Sequence, residues 1–112
     1  MHYSKKFLNQ KVKVKMDRPL WTKHPKHGRE YLLNYGFVPE TLAPDGEEVD
    51  AYVLGVDEPL DEFEGFCIAI IHRTNNDDDK LIIVPEGQDF SDEQIRSLTE
   101  FQEKFFDSEI IR

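Results

Sequence analysis

Within six consecutive positions, Asp45-Gly46-Glu47-Glu48-Val49-Asp50, the chain carries four carboxylates. Crowding like charges costs energy unless a cation or a proton compensates. Hard divalent cations such as Mg²⁺ take oxygen ligands, usually a few carboxylates together with retained waters. Asp45 in a turn and Asp50 entering a strand could converge on one such cation. Spacing alone leaves an acidic hairpin in solvent as the alternative. A second acidic run, Asp77-Asp78-Asp79, precedes Lys80. It lacks the Gly and the closing Glu of an EF-hand loop, and reads first as a polar turn. His24, His27 and His72 do not have the paired spacing of zinc ligands. The single cysteine, Cys67, sits in the apolar run 66–71 and reads as a small buried hydrophobe.

Charge is unevenly distributed. Residues 1–30 hold nine Lys or Arg against two acids, Asp17 and Glu30, whereas 31–112 hold five basic residues against 21 acids, giving the net −9. A basic strand and loop joined to an acidic body suits an anion held together with metal ions. A solvated acidic surface with a basic terminal strand is the plainer reading of the same pattern. An acidic body repels a duplex, so nucleic acid is not an expected partner. No segment offers the roughly 18 apolar residues of a membrane span. One cysteine allows no internal disulfide, and residues 1–8 lack an apolar stretch of signal-peptide length. The expected location is the cytoplasm.

These residues need elements to place them. Val12, Val14 and Met16 alternate with lysines, which predicts a strand buried on one face and ended by Pro19. Residues 20–30 read as a loop, and Tyr31–Val38 as a short extended segment. A strand is expected over Val49–Val56, with Val49, Ala51 and Val53 on one face and Asp50, Tyr52 and Leu54 on the other. The acidic stretch 57–65 reads as a loop. Strands over Phe66–Arg73 and Lys80–Val84, joined by the turn at 75–79, read as a hairpin. Ser91 with Gln94 forms a capping box. Ile95, Leu98, Phe101 and Phe105 then recur at helical spacing as one packing face. Several short strands and one terminal helix, in 112 residues, predict a mainly β (α+β) single domain over 1–112. Its architecture would be a small barrel or curled sheet with the helix packed on it.

Asn34-Tyr35-Gly36, followed nine positions on by the Asp45–Asp50 segment and then by a strand, resembles the family I (soluble) inorganic pyrophosphatases. The likeness runs from about Val12 to about Val84 and more weakly through the helix. It implies an OB-like β-barrel with a C-terminal helix. It also implies Mg²⁺-dependent hydrolysis of pyrophosphate to two phosphates, with two or more ions. On this resemblance Asp45, Asp50 and Asp78 are metal ligands, and Glu47 is the acid near the attacking water. Lys80 contacts phosphate, Tyr35 and Tyr31 are phosphate-site tyrosines, and Lys26 is a looser phosphate-binding candidate. Asp17, in Asp17-Arg18-Pro19, stands for a pocket acid. A small phosphoanhydride substrate and a homo-oligomer are implied as well. This chain departs from the pattern in being short, with Glu47 where the family has Asp. Asn75 stands where the family has a metal-binding Asp, and Phe105-Phe106 where a Tyr-Lys pair is expected. Three readings follow: a hydrolase, weak or with a shifted substrate; a module of the same fold that binds metal or a phosphorylated ligand without turnover; or an acidic scaffold or interaction protein with no ligand.

Overall fold

The computed structural model describes residues 3–26, 28–75 and 78–112, so His27 and Asp77 lie outside the described residues. The lysine–valine alternation forms β1 (Lys11–Arg18), with Val12 and Val14 buried and the lysines outward. Next come β2 (Asn34–Val38) and β3 (Val49–Val53). β4 (Glu62–Arg73), β5 (Asp78–Val84), α1 (Asp92–Glu103) and β6 (Ser108–Ile111) complete the order. The strands are ordered β1-β2-β3-β5-β4-β6, and β1 also pairs with the first part of β4. Five strands therefore close into a ring, with β6 added along the last residues of β4. This is the mainly β, OB-like architecture with a C-terminal helix that was expected. Only the β3–β5 pairing is parallel among the named strands.

Side-chain alternation divides the core in two. Val14, Val49, Ala51, Val53, Leu81 and Ile83 fill one cluster. Tyr52, Leu54, Ile82, Val84 and Ile95 form the other, where α1 lies on the sheet. Each fully buried Val, Leu or Ile stabilises the fold by about 1.5–3 kcal/mol relative to exposure. At Gly36 the β1–β2 contact is so close that a Cβ would sit 1.9 Å from the Lys15 carbonyl oxygen. Only glycine fits there. Gly55, at φ +85°, turns the chain out of β3, so that strand is shorter than the expected Val49–Val56.

Two further expectations are corrected, and one strand is added. The acidic stretch read as a loop contributes the start of β4. Glu62 and Glu64 point outward there and meet Lys13 and Lys11 of β1 at 3.8 and 3.4 Å. β6 was not anticipated. The helix does begin at the Ser91 cap, with both capping-box hydrogen bonds present. Its buried line, however, is Ile95, Thr99 and Glu103, while Leu98 is exposed and Phe105 lies beyond the helix end. Thr99 satisfies its hydroxyl on the Ile95 carbonyl at 2.8 Å, and Glu103 is paired, so polar residues occupy a buried face without an orphaned group. Tyr3 and Ser4 fix the chain start on β5. Ser4 donates to Asp79, whose other carboxylate oxygen lies 2.6 Å from His72 Nδ1.

Candidate active site

Parallel pairing places Asp50 of β3 opposite Lys80 of β5, and antiparallel pairing places Arg73 of β4 opposite Asp78. Asp50, Asp78, Lys80 and Arg73 share the sheet face that carries Tyr52, Ile82 and Ile71, at the end where β3 and β5 begin. The Lys80 ammonium donates to Asp50 and lies 2.8 Å from Asp78 Oδ2. The Arg73 guanidinium lies 3.6 Å from the same Asp78 oxygen. The Lys80 side chain is 4% exposed, whereas Asp50 and Asp78 are 33% and 24% exposed. The cation thus forms the floor and the carboxylates form the mouth.

Tyrosines wall this floor. The Lys80 ammonium lies 5.6 Å from the centre of the Tyr35 ring. Burial, reinforced by the Asp50 carboxylate, holds the Tyr35 phenol well above its ordinary pKa, with Arg73 pulling the other way. Tyr31, stacked on Tyr35 at 5.5 Å, is raised by burial and lowered by Arg18. Both phenols therefore stay protonated at neutral pH and can donate to an anion. Asp17 also belongs here. Loss of hydration raises its carboxyl, Arg18 opposes that rise, and Asp50 adds to it.

Arg73 is held from the other side by Glu103 of α1, at 2.9 Å from Nε and 2.6 Å from Nη2. Burial disfavours the Arg73 charge, but the Glu103 hydrogen bonds outweigh it and raise its pKa. Tyr52 donates to Glu103 at 2.6 Å, and the Gln102 amide donates to Tyr52 at 2.6 Å. Arg73, Tyr52, Gln102 and Glu103 were not singled out from the sequence. The signal available was faint: an arginine ending an apolar strand, and a glutamate continuing the Ile95–Thr99 line. Beside the network opens a cleft of about 740 Å³, lined in part by Tyr31, Tyr35, Arg73, Phe101 and Phe105.

The structure gathers Asp17, Tyr31, Tyr35, Asp50, Asp78 and Lys80 into one region. The other candidates are exposed on turns and loops. Asp45 is exposed in a turn and accepts from the Glu47 amide at 3.0 Å, and Glu47 is exposed beside it. Lys26 is exposed in the 20–30 loop, its amide donating to His24 Nδ1 at 3.0 Å. Among the described residues no three Asp, Glu, His or Cys converge closely enough to hold a metal ion. Asp45, Asp50 and Asp78 accordingly do not converge into one three-carboxylate cluster. Lys80 neutralises two of them, and the third caps its own turn. The donor set nonetheless suits Mg²⁺, which binds through one or two carboxylates plus substrate phosphates rather than an all-protein cage.

Comparison with known proteins agrees with the fold. The sequence profile of the family described as inorganic pyrophosphatase matches residues 2–110. An inorganic pyrophosphatase of Saccharolobus solfataricus is 37% identical over 79 residues, covering 67% of this chain and 43% of that protein. One from Aeropyrum pernix is 33% identical over 79 residues, covering 67% and 42%. The aligned part thus spans under half the length of these relatives. The crystal structure of the Ehrlichia chaffeensis inorganic pyrophosphatase superposes with a TM-score of 0.69 at 19% identity, covering 91% of this chain and 85% of that one. That from Coxiella burnetii gives 0.65 at 22% identity, covering 88% and 78%. By its profile match over nearly the whole chain and by its fold, this chain belongs to the inorganic pyrophosphatase family.

Proposed function

We propose that the chain hydrolyses a phosphoanhydride, with inorganic pyrophosphate as the simplest substrate, at the Asp50–Lys80–Asp78 centre. The observation that carries this reading is the buried Lys80 ammonium between two partly exposed carboxylates, beside two protonated tyrosines. Pyrophosphate is strongly anionic, so water attack on phosphorus is opposed by charge. Lys80 and Arg73 offset that charge at the floor, and Tyr35 and Tyr31 donate to non-bridging oxygens. Asp50 and Asp78 would hold Mg²⁺, with Asp45 from the preceding turn as a further ligand and Asp17 as a pocket acid. Two or more ions are part of the proposal. Bound there, Mg²⁺ supplies neutralisation of phosphate oxygens and a lowered pKa for water. Glu47 takes the proton of the attacking water, its extra methylene setting the carboxylate further from the chain than Asp would. Lys26, exposed at the loop tip, would meet the outer phosphate.

A cytosolic location is supported by the lone buried thiol of Cys67, and no described helix is long and apolar enough to cross a membrane. Self-association into a homo-oligomer is supported by the exposed Trp21, Leu32 and Leu42 side chains. Nucleic acid and membranes are not proposed as partners of this acidic surface.

One observation favours a second reading, ligand binding without turnover: Lys80 already neutralises both Asp50 and Asp78, which weakens their pull on a cation. Phosphate release from pyrophosphate and short polyphosphates, each with and without Mg²⁺, tests the proposal. Mg²⁺-dependent release from pyrophosphate is expected. Binding without release selects the second reading.

A further inference from the structure

The cleft beside Lys80 is larger and more aromatic than an inorganic diphosphate requires. Its volume of about 740 Å³ falls within the roughly 300–1,000 Å³ of pockets that enclose small organic ligands. Tyr31 and Phe101 meet edge-to-face at 5.8 Å. Phe105 also lines the cleft, 54% exposed, with the Arg29 guanidinium 4.4 Å from its ring centre. Phe105 is past the end of α1 and outside both core clusters, and its ring is covered only in part by Arg29 and Lys104.

Two residues belong to both the cleft and the Lys80 centre. Tyr35 lines the cleft and lies against the Lys80 ammonium. Arg73 lines it and reaches Asp78. A ligand with phosphates at Lys80 would therefore extend directly into the aromatic cleft. Planar rings stack on aromatic and guanidinium faces with little regard to their edges, which suits Phe105 and Arg29. A purely aliphatic group would gain from burial but not from stacking.

We infer that this cleft takes the base of a nucleoside diphosphate whose two phosphates lie at the Lys80 centre. The phosphate half rests on the function proposed above, and the base half rests on the cleft alone. Ribose bridges the two across Tyr35 and Arg73.

Calorimetric titration of the full chain in Mg²⁺ with two non-hydrolysable probes tests this. The probes are methylenediphosphonate and adenosine α,β-methylene diphosphate. The nucleoside probe is expected to bind roughly tenfold more tightly, as one stacked base provides. Phe105→Ala should remove most of that advantage while leaving methylenediphosphonate affinity within about twofold, because an exposed ring contributes little to the fold. Arg29→Ala should reduce the advantage in the same direction. Equal affinity for the two probes, or an advantage that survives Phe105→Ala, overturns the inference and leaves the phosphate site standing. If neither probe binds, both the inference and the proposed phosphate site fall.

Discussion

Lys80 of β5 lies directly across the parallel β3–β5 pairing from Asp50, and its ammonium donates to the Asp50 carboxylate. Because β5 also carries Asp78 two residues earlier on the same face, one register fixes all three charges. A one-residue slip of β5 would turn Lys80 and Asp78 into the apolar core.

Removing the cation exposes what it compensates. Lys80→Met leaves two partly buried carboxylates facing each other and is expected to cost about 3 kcal/mol in metal-free buffer. Added Mg²⁺ should restore much of that loss, since an ion bound only by the folded state stabilises it. Urea unfolding with and without Mg²⁺ measures both effects. An unchanged midpoint in metal-free buffer would mean that the ammonium does not hold the pair together.

The Arg73–Glu103 pair ties α1 to β4. Arg73→Met leaves Glu103 buried without its counter-charge and is expected to destabilise by about 3–5 kcal/mol. Arg73→Met combined with Glu103→Leu should cost clearly less than the two single changes added together. A double-mutant cycle by denaturant titration gives the coupling, and strict additivity would argue against the pairing.

Burial pushes the Tyr3 phenol from 10.0 up to about 12, despite the hydrogen bond from the Asp79 amide. Between those values the folded state holds a proton that the unfolded state has released. Stability therefore falls as pH rises through that window. Tyr35 and Tyr52, also raised by burial, act in the same direction. The urea midpoint should decline on going above the ordinary tyrosine pKa, and Tyr3→Phe should lessen that decline. A midpoint flat across the alkaline range would contradict the burial of these phenols.

Burial raises the Cys67 thiol to about 11, and its Sγ lies 3.4 Å from the Ala69 carbonyl oxygen. The native protein should react with a disulfide reagent at mildly alkaline pH far more slowly than the urea-unfolded chain. Comparable rates in the two states would place the thiol at the surface.

Much of the fold was legible because the strands bury one face at a time. Val12 and Val14, or Val49, Ala51 and Val53, signal their faces by simple alternation. The start of β4 was hidden because Glu62 and Glu64 are strand residues whose stabilising partners, Lys13 and Lys11, lie on a strand remote in sequence. β6 is only four residues long and gains its pairing from β4, not from local propensity. The helix face was misread because hydrophobicity alone marked Leu98 and Phe105. The buried line instead ends in Glu103, whose burial depends on Arg73 and Tyr52 from other strands. At the site, Asp50, Asp78 and Lys80 were singled out through the resemblance, and the structure brings them together. That Lys80 pairs with both acids, and that Asp45 stays in its own turn, is a consequence of strand register and turn geometry that spacing does not encode.

The most direct test is the steady-state rate of phosphate release from pyrophosphate in Mg²⁺ by wild type and by Asp50→Asn, with the fold of each checked by circular dichroism. The amide keeps the size of Asp50 but removes the charge that faces Lys80. A drop of roughly 100-fold or more in rate, with the fold retained, is the predicted result. Hydrolysis by Asp50→Asn at the wild-type rate would contradict the assignment of the reaction to this centre.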